Sequence, residues 1–317
     1  MKNTSESGLP LIGRFVDPLT DFGFKRIFSS EPNKDLLIAF LNELFRGRKV
    51  IRNLVYNSQE KVGAAKDFRG SVFDLTCTGV DGEIFIIEMQ RMEQAHFIDR
   101  AIFYIASKLH EFGPKGNSGW DYNLPEIYFI ALVDFKLTDS PEGKYLHRVW
   151  LREEESKNIF HNKLGLIFLE LPNFVLPSNA VLTGLDRWMF VLQNMGKMEK
   201  IPVFLQRRIF QKLFKIAEVA NLKKEEYMLY ERSLMEKWDA YAIKKFAREN
   251  LKKALKEGME KGIKEGREEG REAGIEEGKK LVVKNLLSSG KFTISEIASF
   301  AEVPEAFVRK IKNNTKK

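Results

Sequence analysis

A short, almost wholly apolar segment near the middle of the chain places the strongest constraint on the fold. Residues 127–133 read Ile-Tyr-Phe-Ile-Ala-Leu-Val, between Glu126 and Asp134. A continuous apolar run of this length is typical of a buried central strand rather than of a helix. The chain has 317 residues and 44% hydrophobic content, which is enough to bury the core that such a strand requires.

Two strand-like segments precede this run. Residues 71–78 and 83–90 are separated by Gly-Val-Asp-Gly at 79–82, and this pattern predicts a β-hairpin. Because side chains alternate along a strand, Glu88 and Gln90 share a face with two isoleucines, and the intervening apolar residues point the other way.

Asp74, Glu88 and Gln90 interrupt this apolar hairpin and would meet at one end of it. A carboxylate beside aliphatic groups is costly unless a cation, a metal ion or escape to the end of the sheet compensates it. One divalent metal between two facing carboxylates explains both acids, and hard oxygen ligands suit magnesium or manganese. The alternative is that Asp74 and Glu88 are exposed strand ends in a structural domain.

An Asp, a turn and then Glu-Met-Gln at 88–90 resemble the signature of PD-(D/E)XK nucleases, with Gln where most of those enzymes carry Lys. The opening Asp-Pro-Leu-Thr-Asp-Phe-Gly-Phe-Lys-Arg-Ile-Phe at 17–28 resembles the Rpn family of recombination-promoting nucleases and transposases, which uses Glu-x-Gln. Residues 36–42 and 97–104 are also similar to that family. The resemblance is strong over about residues 14–135 and extends beyond them by layout only.

The resemblance implies a restriction-endonuclease-like α/β fold, with a mixed sheet flanked by helices and a helical C-terminal extension. It also implies a metal-dependent DNA endonuclease that promotes recombination or mobile-element transposition. Asp74 and Glu88 would be catalytic and would bind Mg²⁺, or Mn²⁺, together with the backbone carbonyl of Met89. Gln90 would take the position of the catalytic Lys but carries no charge, so it can only orient water or a phosphate oxygen.

Gln90 leaves a second function open, a catalytically weak or inactive DNA-binding or assembly protein that keeps the nuclease fold. Asp21 is a candidate accessory acid by resemblance, or else an N-cap for the first helix. Lys25, Lys66 and Arg100 are candidates for phosphate contacts, or else form ordinary surface interactions.

The net charge of +8 is unevenly placed. Residues 244–317 contain 19 Lys or Arg against 12 Asp or Glu, whereas residues 1–243 contain 33 against 32. A polyanion such as DNA would therefore be attracted mainly by the tail, with any contact in the body depending on local patches such as Arg46, Arg48, Lys49 and Arg52. Ordinary solvated surface is the alternative for both.

The single cysteine excludes an internal disulfide framework and fits a reducing compartment. The chain has no apolar run of 18 or more residues and no signal-peptide pattern. We therefore expect a soluble, cytoplasmic protein without a membrane anchor.

Composition and periodicity, together with the resemblance for the nuclease-like part, predict five regions. They are a flexible leader (1–13), the nuclease-like domain (14–180), a helical extension (181–249), a charged glycine-repeat helix or spacer (250–280) and a small helical tail (281–317).

Six glycines recur at every fourth position from Gly258 to Gly278. Each costs about 1 kcal/mol in a helix relative to alanine, and a four-residue step advances the seam by about 40°. The segment is therefore either a semi-flexible spacer or a seam wound around a partner helix, which would make a homo-oligomer through the C-terminal helices.

In the tail, the spacing of Thr293 and Glu296 fits a capping box, and Pro304 opens another helix. The pair predicts either a helix-turn-helix that reads DNA or an αα-hairpin without that role, since no third helix is evident.

Overall fold

The computed structural model describes residues 12–57, 74–113, 121–137, 141, 143–176 and 182–314. The chain divides into two compact units, of which the first ends at Ala240 and the second begins at Tyr241. The first unit contains a β-sheet between helices, and the second is helical. Within the described part of the chain, no helix combines the length and apolar character that a membrane crossing requires.

Six strands of the described chain form one mixed sheet in the first unit. They are β1 (Leu54–Tyr56), β2 (Leu75–Gly79), β3 (Ile84–Gln90), β4 (Ile127–Val133), β5 (Leu146–Arg152) and β6 (Ile159–Glu170). Their order across the sheet is β1-β2-β3-β4-β6-β5. The neighbours β3, β4 and β6 run parallel, and the other neighbours pair antiparallel.

Helices of the first unit cover both faces of its sheet. In chain order, the helices of both units are α1 (Asp21–Phe28), α2 (Lys34–Leu44), α3 (Phe97–Glu111), α4 (Gly184–Asn194), α5 (Arg208–Ala217), α6 (Lys224–Ser289), α7 (Ile294–Phe300) and α8 (Glu305–Asn314). The second unit contains α7, α8 and most of α6. Buried residues of α1, α2, α4 and α5 share one core with the sheet, and α3 shares a second, smaller core on the other face. The predicted α/β fold class, a mixed sheet flanked by helices, is confirmed.

Short 3-10 helices lie between several of these elements. They are Glu31–Asn33, Leu171–Asn173, Met195–Lys197, Val203–Leu205 and Val219–Asn221.

The central strands follow the hydrophobic pattern closely. Every residue of β4 is buried, as the continuous apolar run predicts. In β3, Phe85 and Ile87 belong to the larger core, whereas Ile84 and Ile86 pack beneath α3. The alternation therefore places the side chains of Glu88 and Gln90 on the α3 face of the sheet.

The second unit ends in a small three-helix core. Val283 near the end of α6, Ile297 of α7 and Val308 of α8 are each less than 2% exposed and pack together. The expectation that the tail has no third helix is wrong, because α6 continues past the glycine repeat to Ser289 and supplies it. Helix propensity is low in the glycine-rich, charged stretch, so the local sequence does not predict that α6 continues through it.

The six repeat glycines all lie within α6. A Cβ added at any of them would have no other atom of the described chain within 4 Å, apart from its own neighbourhood in the helix. Close packing within this chain therefore does not require glycine at these positions.

Candidate active site

The hairpin places Asp74 opposite Glu88. Leu75 of β2 pairs with Ile87 of β3, so the residue before Leu75 falls opposite the residue after Ile87. The connecting turn depends on Gly82, whose φ of 81° is a conformation that glycine adopts readily. Asp74 Oδ2 accepts a hydrogen bond of 2.7 Å from the backbone N–H of Met89. This hydrogen bond thus links the residue that precedes β2 to the end of β3.

Arg100, in the second turn of α3, lies over the end of β3. Its Nη2 donates to Glu88 Oε1 at 3.0 Å and to Gln90 Oε1 at 3.1 Å. Its guanidinium carbon lies 5.1 Å from the ring centre of Phe97 and 5.7 Å from that of Tyr104. Its Nη1 also donates to Gln94 Oε1. Two aromatic rings and three acceptors therefore hold a positive charge beside the residues of the predicted site.

Gln90 is bound at both ends of its amide. Its Nε2 donates to the backbone carbonyl of Met92 at 3.0 Å, and its Oε1 accepts from Arg100. Gln90, which the resemblance aligns with the Lys of most PD-(D/E)XK nucleases, is thus uncharged but touches a cation from the neighbouring helix.

Glu88 is a buried carboxylate with a hydrogen-bond partner on only one of its two oxygens in the described part of the chain. It is 6% exposed, and its Oε2 has no hydrogen-bond partner among the described residues. Burial, followed by the negative charge of Asp74, raises the pKa of Glu88 to about 7, although Arg100 acts in the opposite direction. Burial also raises the pKa of Asp74, against the hydrogen bond from Met89.

Asp21 and Lys25 lie close enough to Asp74 to shift the pKa of its carboxyl group. The negative charge of Asp21 raises the pKa of Asp74, whereas Lys25 and Arg100 lower it. Lys25 Nζ pairs with Asp21 Oδ1 at 2.9 Å on the surface of α1.

The alternative role for Asp21 as an N-cap is wrong. Thr20 takes that position, because its extended backbone lets Oγ1 accept from the N–H of Gly23 at 3.0 Å. The carboxylate of Asp21 is therefore not used as the cap.

The carboxylates of Asp74 and Glu88 are the side-chain donors that this site offers to a divalent metal. In the ranges that the structure describes, no three His, Cys, Asp or Glu side chains lie close enough together to hold one. Mg²⁺, however, is usually bound through one or two carboxylates together with water and substrate phosphates. The unpartnered Glu88 Oε2 opposite Asp74 fits such a site. A role for the Met89 carbonyl stays a prediction, since the contact seen here is made by its N–H.

Other predicted contacts lie elsewhere. Lys66 falls outside the described residues. Lys49 is largely buried and pairs with Glu126 at 2.8 Å, and the Arg48 guanidinium carbon lies 4.7 Å from the ring centre of Trp150. The expectation of a surface cation is therefore wrong for Lys49, because its ammonium is used in an internal ion pair. Arg46, Arg48 and Arg52 are exposed.

Comparison with known proteins identifies the family. The model of the PD-(D/E)XK nuclease family transposases matches residues 18–247. The chain belongs to this family. No match was found among curated proteins or among solved structures. The predicted resemblance to PD-(D/E)XK nucleases is confirmed, and the match includes the hairpin, α3 and the first turns of α6.

In this member of the nuclease family transposases, sequence reasoning missed the aromatic support of Arg100. Phe97 and Tyr104 lie three residues before and four residues after Arg100, so one face of α3 carries all three side chains. That spacing is visible in the sequence and would have separated Arg100 from the ordinary surface arginines.

Proposed function

We propose that this protein is a metal-dependent DNA endonuclease that hydrolyses phosphodiester bonds during recombination or transposition. The observation that carries the proposal is the buried, unpartnered oxygen of Glu88, which lies opposite Asp74 in a member of a nuclease family. Retaining such an oxygen is costly for folding alone, and a bound cation would compensate it.

Asp74, Glu88 and the Met89 carbonyl would hold Mg²⁺ or Mn²⁺. The cation would neutralise charge on the phosphate and lower the pKa of the attacking water. Gln90 would orient that water or a phosphate oxygen through its amide. Asp21, which acts electrostatically on Asp74, is the accessory acid of this proposal.

Arg100 would supply the positive charge that Gln90 lacks. Its Nη2 touches Glu88 and Gln90 together, so its charge would lie beside the position where most PD-(D/E)XK nucleases carry Lys. A guanidinium is also suited to two-point contact with phosphate oxygens. Arg100 would therefore exchange its contact with Glu88 for a phosphate oxygen when DNA and the cation are present.

A groove beside the site offers a path for the DNA strand. It has a volume of ≈ 850 Å³ and is bordered by α1, α5 and the first turns of α6. Lys25, Lys215 and Arg232 are among the residues that line it. These cations would contact backbone phosphates, and they lie on the side of the site where Asp21 is found.

The test is cleavage of supercoiled plasmid by the full chain in Mg²⁺ or Mn²⁺ at low salt, with Asp74→Ala at matched concentration. We expect nicking or linearisation by the parent and its loss in the variant. A matched control is Asp81→Ala, which removes a carboxylate from the opposite end of the hairpin and should leave cleavage intact. Equal cleavage by the parent and Asp74→Ala would contradict the proposal.

The second candidate function is a DNA-binding or assembly protein with weak or absent turnover. The ion pair between Arg100 and Glu88 favours it, because a cation already occupies one oxygen of the proposed ligand. DNA binding without any cleavage by the parent, in either metal, would establish this second function.

We also propose that α6 pairs with a second copy of the chain. Leu251, Leu255, Met259 and Ile263 recur at four-residue intervals and are 49–72% exposed. Residues 244–264 carry eight basic side chains against three acidic ones, and residues 265–278 carry two against six. An antiparallel pair would set these opposite charges against each other. Sedimentation at increasing concentration tests this, and a monomer throughout would contradict it.

The predicted domain boundaries and cytoplasmic location stay predictions. They rest on composition and periodicity, and expression of residues 14–249 alone would test the independence of the nuclease-like part.

A further inference from the structure

The end of the second unit has the parts of a helix-turn-helix. Helices α7 and α8 are joined by the four residues 301–304, and Glu302 in that connection has a φ of 51°. The Lys279 Nζ on α6 donates to the Glu302 carbonyl at 3.0 Å, which fixes the turn against the third helix. A three-helix core with a short, left-handed turn distinguishes this arrangement from a bare αα-hairpin.

Helix α8 has one buried face and one polar face. Val308 and Ile311 are buried in the three-helix core. On the opposite side, Ala306, Arg309 and Asn313 are exposed. Their spacing of three and four residues places them along one stripe of the helix. Lys310 and Lys312 are exposed at the borders of the stripe.

The three-helix part of the chain carries a net positive charge. Residues 279–317 contain nine Lys or Arg against three Asp or Glu, an excess of six within a total of +8. The preceding residues 265–278 have six acidic side chains against two basic ones. The sign of the net charge therefore changes from negative to positive at about residue 279, where the three-helix part begins, and this positive charge fits a polyanionic partner.

We propose that the three-helix unit binds duplex DNA with the exposed face of α8 in the major groove. Arg309 and Asn313 would reach base edges, because an Arg fork matches guanine and an Asn amide matches adenine. Lys310 and Lys312 would contact phosphates on either side. This inference rests on the proposed function, since it assumes a DNA substrate, and it adds a DNA contact separate from the cleavage site.

The dimensions of α8 suit that role. Its ten residues span about 15 Å, which is enough to lie across a major groove about 12 Å wide. The Arg309 side chain pairs with Glu305 at 3.2 Å in the free protein. An exposed pair of this kind contributes little, so a guanine can replace Glu305 as its partner.

The test is binding of a fluorescent random-sequence duplex by the full chain in EDTA, measured by anisotropy over a range of salt. The variant combines Arg309→Ala, Lys310→Ala and Lys312→Ala. The matched control combines Lys280→Ala, Lys284→Ala and Lys291→Ala, which removes the same number of positive charges from exposed positions of the same unit outside α8. All six side chains are exposed, so both variants should fold.

We expect the α8 variant to lose about 10-fold or more in affinity at moderate salt. The slope of log affinity against log salt should fall by about 2, because the two phosphate contacts of Lys310 and Lys312 are lost. The control should change much less. Equal losses in the two variants would overturn the proposal, because the tail would then attract DNA only through its total charge.

Selection from a random duplex library tests the groove contact itself. We expect the parent to enrich a short motif, and Asn313→Ala to lose the preference at one base pair while it keeps its affinity for random DNA. The absence of any enriched motif would overturn the placement of α8. Asp81→Ala, at the opposite end of the hairpin, should behave as the parent in both experiments. Failure of the tail variants with intact Asp74-dependent cleavage would therefore remove this inference alone.

Discussion

A buried glutamate lies near each end of strand β3, and the two carboxylates differ in how their charge is compensated. Glu83 precedes the strand and is 3% exposed, whereas Glu88 near its end is 6% exposed. Both lie among aliphatic and aromatic side chains, and both are costly to bury without compensation. The compensation is complete at one end and incomplete at the other.

At the start of β3, each acid has a partner. Lys49 Nζ lies 2.8 Å from Glu126 Oε2 and 3.7 Å from Glu83 Oε1. The Asp81 N–H donates to Glu83 Oε2 at 2.9 Å, and the Tyr128 hydroxyl donates to Glu126 Oε2 at 2.7 Å. Burial would raise the pKa of Glu126, but the hydrogen bonds from Lys49 and Tyr128 hold it below its usual range.

At the end of β3, the chain leaves charge uncompensated. Glu88 has one oxygen on Arg100 and one without a partner in the described chain, and its pKa is raised to about 7. A carboxylate that serves folding is paired on both oxygens, whereas one that serves chemistry keeps a site open for a ligand. The difference between Glu83 and Glu88 is therefore the physical basis for the assignment of the active site.

The largest expected effect is a difference in DNA cleavage rate between variants of Glu88 and Glu83. Glu88→Gln should lower plasmid nicking by at least about 10³-fold, equivalent to about 4 kcal/mol of transition-state stabilisation. Glu83→Gln should keep cleavage within a few-fold of the parent, because it removes only a contact at the opposite end of the strand. Nicking rates at matched folded concentration check this. Comparable losses in both variants would remove the distinction.

The face of β3 that carries Glu88 could be predicted from sequence because strand alternation is a local property. The register of β2 against β3 follows from a turn that needs Gly82, and burial of β4 follows from its unbroken apolar run. These features depend on residues that are close together in the chain.

The position of Arg100 could not be fixed in the same way. The rotation of α3 is set by packing of Phe97, Ala101 and Ile105 on the sheet, which involves residues distant in sequence. The same limit applies to Lys49. The sequence predicts a surface cation there, but its ammonium pairs with Glu83 and Glu126, which directly precede β3 and β4. Long-range partners decide whether a charge is available for DNA or used in folding.

The next expected effect concerns the cation beside Glu88. Arg100→Gln should slow cleavage by about 10- to 100-fold, because the phosphate loses a charged contact. Gln90→Lys alone should give no gain, since the new ammonium would crowd Arg100. Gln90→Lys combined with Arg100→Gln should recover most of the loss, because one positive charge is restored beside Glu88.

Nicking rates of the parent, the two single variants and the double variant measure this coupling. Lys108→Gln, at the far end of α3, is the control for loss of a cation from the same helix and should have little effect. A gain of activity in Gln90→Lys alone would show that the parent site lacks a working cation, contrary to the proposed role of Arg100.

The third effect is the pH dependence of metal binding. Glu88 must lose its proton to become a ligand, and its pKa is raised to about 7. Mn²⁺ affinity of the DNA-free protein should therefore rise about 10-fold between pH 6 and pH 8. Calorimetric titration measures this. Glu83→Gln should keep the rise, and Glu88→Gln should bind more weakly with a flatter profile. An unchanged profile in Glu88→Gln would contradict a ligand role for Glu88.

The smallest effect is on stability, and the two ends should respond to pH with opposite sign. Glu88 has a pKa above its usual value near 4.5, so its contribution to stability is present below pH 4.5 and is lost as the pH rises through about 7. Glu126 has a lowered pKa, so its contribution is present above pH 4.5 and is lost on acidification.

In metal-free buffer at pH 8, Glu88→Gln should therefore be as stable as the parent or more stable by about 1 kcal/mol, since it removes a buried charge but leaves Arg100 with one acceptor fewer. Glu83→Gln should lose about 1 kcal/mol, because Lys49 then keeps only one carboxylate partner. Urea unfolding at pH 5 and pH 8 distinguishes these outcomes. If Glu88→Gln were the less stable of the two at pH 8, Glu88 would be a folding residue like Glu83, and the uncompensated oxygen would no longer mark a site of chemistry.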